Sequence, residues 1–84
     1  MNKADIKAAI FECLATIAPE ADLATLAPDA KLRETLDLDS YDFLRFLIAL
    51  SGKLGVEIPE ADYAKLATLE SMTARLASIA GVDN

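Results

Sequence analysis

Histidine and tryptophan are absent from this chain, cysteine occurs once, and glycine and proline occur three times each. Without histidine no Ser-His-Asp or Cys-His relay can be assembled, and the side chain that most often titrates near neutral pH is missing. The lone Cys13 excludes an internal disulfide framework and a cysteine zinc cluster, and it fits a reducing compartment. It falls on an apolar stripe with Ile6, Ile10, Leu14 and Ile17, where a free thiol serves as core filler. With so few glycines the chain holds neither a G-x-x-x-x-G-K phosphate loop nor a dinucleotide fingerprint. Basic residues are also scarce, 8 against 14 acids for a net charge of -6. A nucleic-acid backbone or an anionic lipid surface is therefore repelled, and neither nucleic-acid binding nor membrane insertion is expected. The longest apolar stretch, Phe43 to Leu50, contains Arg45 and is too short to cross a bilayer. Met1 to Asp5 shows no basic run followed by a long apolar stretch, so no signal peptide is expected and a cytoplasmic location follows.

What the chain does have is aliphatic bulk. Of its 84 residues 54% are hydrophobic, yet only three are Phe and two Tyr. A core of Leu, Ile and Ala suits packed helices, and this length supports one core, so residues 1–84 are expected to form a single all-α domain. Asn2 can cap a first helix, with Asp5 three residues on and apolar residues at helical spacing to about Ile17, where Pro19 ends it. From Ala18 to Asp39 no period holds, although Leu23, Leu26, Leu32, Leu36 and Leu38 are spaced like anchors for a long loop lying across a core. Asp39 is a good cap for a second helix from Ser40 to about Leu54. Gly55 and Pro59 bracket a turn, Glu60 to Lys65 supports one or two helical turns, and Thr68 caps a last helix through Met72, Leu76 and Ile79. The expected fold is a four-helix bundle with three longer helices, a short third one, and a long loop between the first and second.

On the second helix, successive residues turn by about 100°. Phe43, Phe46, Leu47, Leu50 and Leu54 share one arc, the core face. Tyr41, Leu44 and Ile48 fall together on the adjoining flank beside Arg45, so the apolar arc is wider than one packed face requires. The first or last helix can cover that flank, its residues can be ordinary exposed apolar ones, or it can be a docking surface for other proteins.

The hydroxyls offer little catalytic chemistry. Ser40 stands in Leu38-Asp39-Ser40-Tyr41-Asp42 without the glycines of a nucleophile elbow, and Phe43, Leu54 and Ala74 occupy the lysine position of an S-x-x-K motif. Asp37 and Asp39 match the first and third ligands of a calcium loop. Asp42 then stands where glycine is required and Ile48 where a bidentate glutamate belongs, so no metal site is expected. What Ser40 does offer is an exposed hydroxyl at the first position of a helix, where backbone N–H groups and the helix dipole favour an attached phosphate.

The run Leu32-Arg33-Glu34-Thr35-Leu36-Asp37-Leu38-Asp39-Ser40-Tyr41-Asp42-Phe43-Leu44 resembles the signature region of acyl carrier proteins. The likeness continues through Leu50, Leu54, Val56-Glu57-Ile58-Pro59-Glu60 and Lys65-Leu66-Ala67-Thr68-Leu69. The resemblance implies a non-enzymatic carrier on whose Ser40, next to the motif acid Asp39, a phosphopantetheinyl transferase places 4′-phosphopantetheine from coenzyme A. The arm's thiol would then carry acyl thioesters to acyl-loading and acyl-processing enzymes of fatty-acid, polyketide or another specialised acyl pathway. The resemblance also implies docking roles for Tyr41, Leu44, Arg45, Ile48 and Glu60, and a bundle interior able to shelter an acyl chain. Two departures stand out. Tyr41 follows the serine where the family usually has Leu, Met or Ile, and Arg45, Ser51, Gly52 and Lys53 occupy an outer face that is normally acidic. An aminoacyl or peptidyl carrier, and an unmodified helical interaction module in which Ser40 only helps to start a helix, are the alternatives. A monomer is the expected state.

Overall fold

The computed structural model describes residues 1–82. Helix α1 spans Lys3–Ile17. Its start is closed from both sides: the Asp5 N–H donates to Asn2 Oδ1 at 2.9 Å and the Asn2 N–H donates to Asp5 Oδ2 at 3.0 Å. This reciprocal pair satisfies donors that the first turn leaves free. At the other end Ala18 leaves helical geometry before Pro19, which cannot continue the ladder.

The segment that follows is the expected long loop between the first two long helices, and it carries two short turns of its own. It holds a single 3-10 turn, Leu23–Thr25, capped by Asp22, and a one-turn helix α2, Leu32–Thr35. One turn is too short to show a period, so the alternation of leucines carries no helical signature. Tertiary contacts hold the turn in place. The Leu32 N–H donates to Ala67 O at 2.9 Å, Glu70 N–H to Pro28 O at 2.8 Å, and Lys31 forms an isolated antiparallel bridge with Thr68. Leu32 and Leu38 are buried, and Leu23, Leu26 and Leu36 pack against the core, as their spacing predicts.

Helix α3 spans Ser40–Leu54 and ends on Gly55 in the left-handed region, φ 66°, a conformation glycine adopts without steric cost. The expected short third helix is a 3-10 helix, Glu60–Leu66. Helix α4, Leu69–Ala80, starts on Thr68, whose Oγ1 accepts from the Ser71 N–H at 3.0 Å while the Thr68 N–H donates to Ser71 Oγ at 3.2 Å.

Helix α1 packs on α3 and α4, and α4 also carries the 3-10 helix. Between them lies one cluster built from Ile6, Ile10, Leu14, Leu32, Phe46, Leu47, Leu50, Leu66, Leu69, Met72 and Leu76. Phe43, Phe46, Leu47 and Leu50 are the buried residues of α3, with Leu54 half-buried at the cluster's edge. Among the described residues no helix is long and apolar enough to cross a membrane.

Candidate functional site

The backbone leading to Ser40 is set by the end of α2. Leu36 closes that turn, Asp37 adopts φ 54°, and the Leu38 N–H reaches back to Arg33 O at 2.8 Å. This is the Schellman arrangement, in which a left-handed residue lets the chain reverse and the helix's free carbonyls find donors. The reversal sends the Leu38 side chain into the core and delivers Asp39 in extended geometry. Asp39 Oδ1 then accepts from the Asp42 N–H at 2.7 Å, and α3 begins at Ser40. The serine hydroxyl is exposed at the first helical position, as its place after Asp39 predicts.

One contact at this hydroxyl is invisible to helical spacing. Arg33 Nη2 donates to Ser40 Oγ at 3.0 Å, with the guanidinium carbon 5.7 Å from the centroid of the Phe43 ring. Arg33 and Ser40 lie seven residues apart on different helices, joined only by the Asp37 reversal. Among the described residues Arg33 is the side chain bonded to Oγ, and a guanidinium cannot take a proton from it. The chain therefore holds this serine without activating it.

Beside the pair opens a cleft of about 470 Å³. Its lining includes Arg33, Ser40, Phe43, Leu44 and Leu47 on one side, and Glu60, Tyr63, Ala64 and Ala67 on the other. The predicted docking residues divide between this cleft and the outer flank of α3. Leu44 and Glu60 line the cleft with Ser40. Tyr41 and Ile48 stand open at 68% and 62% exposure and Leu44 at 41%, so neither α1 nor α4 covers that flank. The Arg45 guanidinium lies 5.8 Å from the centre of the Tyr41 ring, joining the positive charge to the apolar patch.

The departures read from the outer face of α3 are fewer than their sequence positions imply. Ser51 is half-buried and its hydroxyl donates to Val56 O, so it belongs to the end of the helix. Lys53 pairs with Glu12 of α1, and the bond to that carboxylate raises the lysine pKa. Arg45 remains as the cation beside the exposed patch. Cys13 is buried in the core, and burial pushes its thiol pKa up, against a smaller opposing pull from Lys53.

A family model described as phosphopantetheine attachment site matches residues 8–76. Over 68 residues the chain is 35% identical to the acyl carrier protein of Campylobacter jejuni subsp. jejuni serotype O:23/36, covering 81% of this chain and 82% of that one. The chain belongs to the acyl carrier protein family. This carrier is also 37% identical over 62 residues to the acyl carrier protein of Helicobacter pylori strain G27, across 74% of its own length and 73% of the relative's. Its fold is similar to the solution structure of a candidate acyl carrier protein from Anaplasma phagocytophilum, with a TM-score of 0.79, 26% identity, and coverage of 93% and 91% of the two chains. As an acyl carrier protein it is a carrier and not an enzyme, and its cofactor is 4′-phosphopantetheine.

Proposed function

We propose that Ser40 is the attachment point for 4′-phosphopantetheine, and that the loaded chain, acting as one carrier domain, presents acyl thioesters to the enzymes of a dedicated pathway. The observation that carries this reading is the exposed Ser40 hydroxyl at the first position of α3, beside a cationic side chain and an apolar cleft. These features suit the group. The hydroxyl can form a phosphodiester, the helix start and Arg33 favour its negative charge, and Phe43, Leu47 and Tyr63 offer apolar surface beside it.

In the loading step Ser40 Oγ attacks the phosphorus of coenzyme A that bears the pantetheine. The Oγ–P bond forms, the P–O bond to the nucleotide breaks, adenosine 3′,5′-bisphosphate leaves, and the hydroxyl proton passes to a base on the transferase. The carrier contributes a held hydroxyl and a recognisable surface, while the attached group supplies the thiol for thioester chemistry. Tyr41, Leu44, Arg45 and Ile48 form the docking flank for the transferase and for the acyl-loading and acyl-processing enzymes, with Glu60 at the facing edge of the cleft. An exposed apolar patch with a cation in it favours partners with a weaker basic surface than those of a carrier with an acidic docking strip. That supports a specialised acyl pathway over the general fatty-acid cycle.

The direct test is incubation of the purified chain with coenzyme A and a broad-specificity phosphopantetheinyl transferase, followed by intact mass. Wild type gains the mass of one phosphopantetheine and Ser40→Ala gains none. Wild type without added mass across several transferases would overturn the reading.

A further inference from the structure

The helix start favours an anion on Ser40, but the charged side chains around it and the net charge of the chain oppose one. The chain as a whole carries -6, and Glu34, Asp37, Asp39 and Asp42 all lie within six residues of the serine. A phosphodiester there adds another unit of the same sign. Arg33 is the counterweight. It is already bonded to Ser40 Oγ and stacked near Phe43, which shares the cleft lining with it. The ion pairs among the described residues are Glu12–Lys53, Asp62–Lys65 and Asp62–Arg75, and Arg33 is in none of them despite its acidic surroundings. Its fork carries five donors, and its bond to Oγ uses one nitrogen.

We infer that Arg33 is a positioning residue for the loaded form: its guanidinium pairs with the phosphodiester formed on Ser40 and fixes the root of the arm beside the cleft between α3 and the 3-10 helix. This rests on Ser40 being the attachment point. Arg33 acts here on the charge and orientation of the arm, and the transferase's base still takes the serine proton. A planar, doubly donating cation suits two phosphate oxygens in a way a point charge does not, so lysine at this position is only a partial substitute.

A thermodynamic cycle isolates this pairing, since any purely structural effect of replacing Arg33, including loss of its contact with Phe43, is present in both the unloaded and the loaded protein and cancels. Wild type, Arg33→Gln and Arg33→Lys are each prepared without and with phosphopantetheine, and Tm is measured for all six. At low salt, loading raises Tm in wild type relative to Arg33→Gln by about 4 °C, with Arg33→Lys between them. The difference shrinks toward zero near 1 M salt, where the Debye length falls to about 3 Å. The phosphorus-31 resonance of the arm also moves between loaded wild type and loaded Arg33→Gln at low salt, and the two converge as salt is added. Loading effects on Tm that match in wild type and Arg33→Gln, with coincident phosphorus resonances, would overturn the inference while leaving Ser40 as the attachment point. Failure of wild type to load would sink both, and intact mass distinguishes the two results.

Discussion

Asp37 is the non-glycine residue with positive φ among those described, and it stands three positions before Ser40. A side chain in the left-handed region is strained, least so for Asp and Asn and most for β-branched residues. Asp37→Gly is therefore expected to stabilise the fold by about 0.5 kcal/mol, since relief of strain is partly offset by the freer unfolded chain. Asp37→Val is expected to destabilise it by about 1–2 kcal/mol. Thermal or urea unfolding checks both signs, and equal effects would show that the reversal does not govern the approach to α3. Cys13 provides a second test at this scale. Its thiol pKa is raised by burial, so the folded state prefers the protonated form. The stability this contributes is complete below its ordinary value of 9.0 and is lost as pH rises through the higher folded value. Lys53, also raised, from 10.5, acts in the same direction at higher pH. At pH 8 iodoacetamide is expected to label unloaded native protein slowly and urea-unfolded protein quickly, while in the loaded form the arm's own thiol reacts first. Fast labelling of native, unloaded Cys13 would contradict its place in the core.

The long helices are legible in the sequence because each carries a cap and a sustained apolar period. Asn2, Asp39 and Thr68 all cap as their residue types predict, and Phe43, Phe46, Leu47 and Leu50 all face inward. Helix α2 is not legible, since four residues cannot display a period and its register depends on Ala67, far along the chain. The same distance hides Arg33. It stands in the run that resembles the family signature, but its approach to Ser40 exists only once the Asp37 reversal has folded one short helix against the start of another. On α3 the wide apolar arc is legible as a surplus, and among the described residues no other helix covers it. Ile48→Ala removes an exposed anchor, so unfolding free energy should change by less than about 0.5 kcal/mol in a urea titration. If the flank docks the transferase, the same substitution should lower kcat/KM for loading about tenfold through KM, given what an aliphatic side chain contributes when buried. Unchanged loading kinetics would remove Ile48 from the docking surface.

Across the whole molecule, the cleft's two walls are held in different ways. Helix α3 puts four buried side chains into the core, whereas the 3-10 helix puts Leu66 there, has weaker hydrogen bonding of its own, and is also tied to α4 by a charge pair. Arg75 Nη2 lies 3.0 Å from both carboxylate oxygens of Asp62, which is 6% exposed, and Lys65 approaches the same carboxylate at 3.6 Å. Removing Arg75 leaves a buried carboxylate with a solvent-exposed lysine as its remaining partner. Arg75→Ala is expected to cost about 1–3 kcal/mol and to speed amide exchange in Glu60–Leu66 more than in α1. Uniform exchange across the chain would show that the pair does not specifically hold the cleft wall. All of these elements converge on one exposed hydroxyl at the start of α3. Fragmentation of the enzymatically loaded protein in a mass spectrometer tests that convergence most directly, because Ser51, Ser71 and Ser78 are competing hydroxyls in the same chain. Attachment at Ser40 predicts one phosphopantetheine confined to the fragment containing that serine. Its appearance on any other serine, or no modification at all, would contradict it.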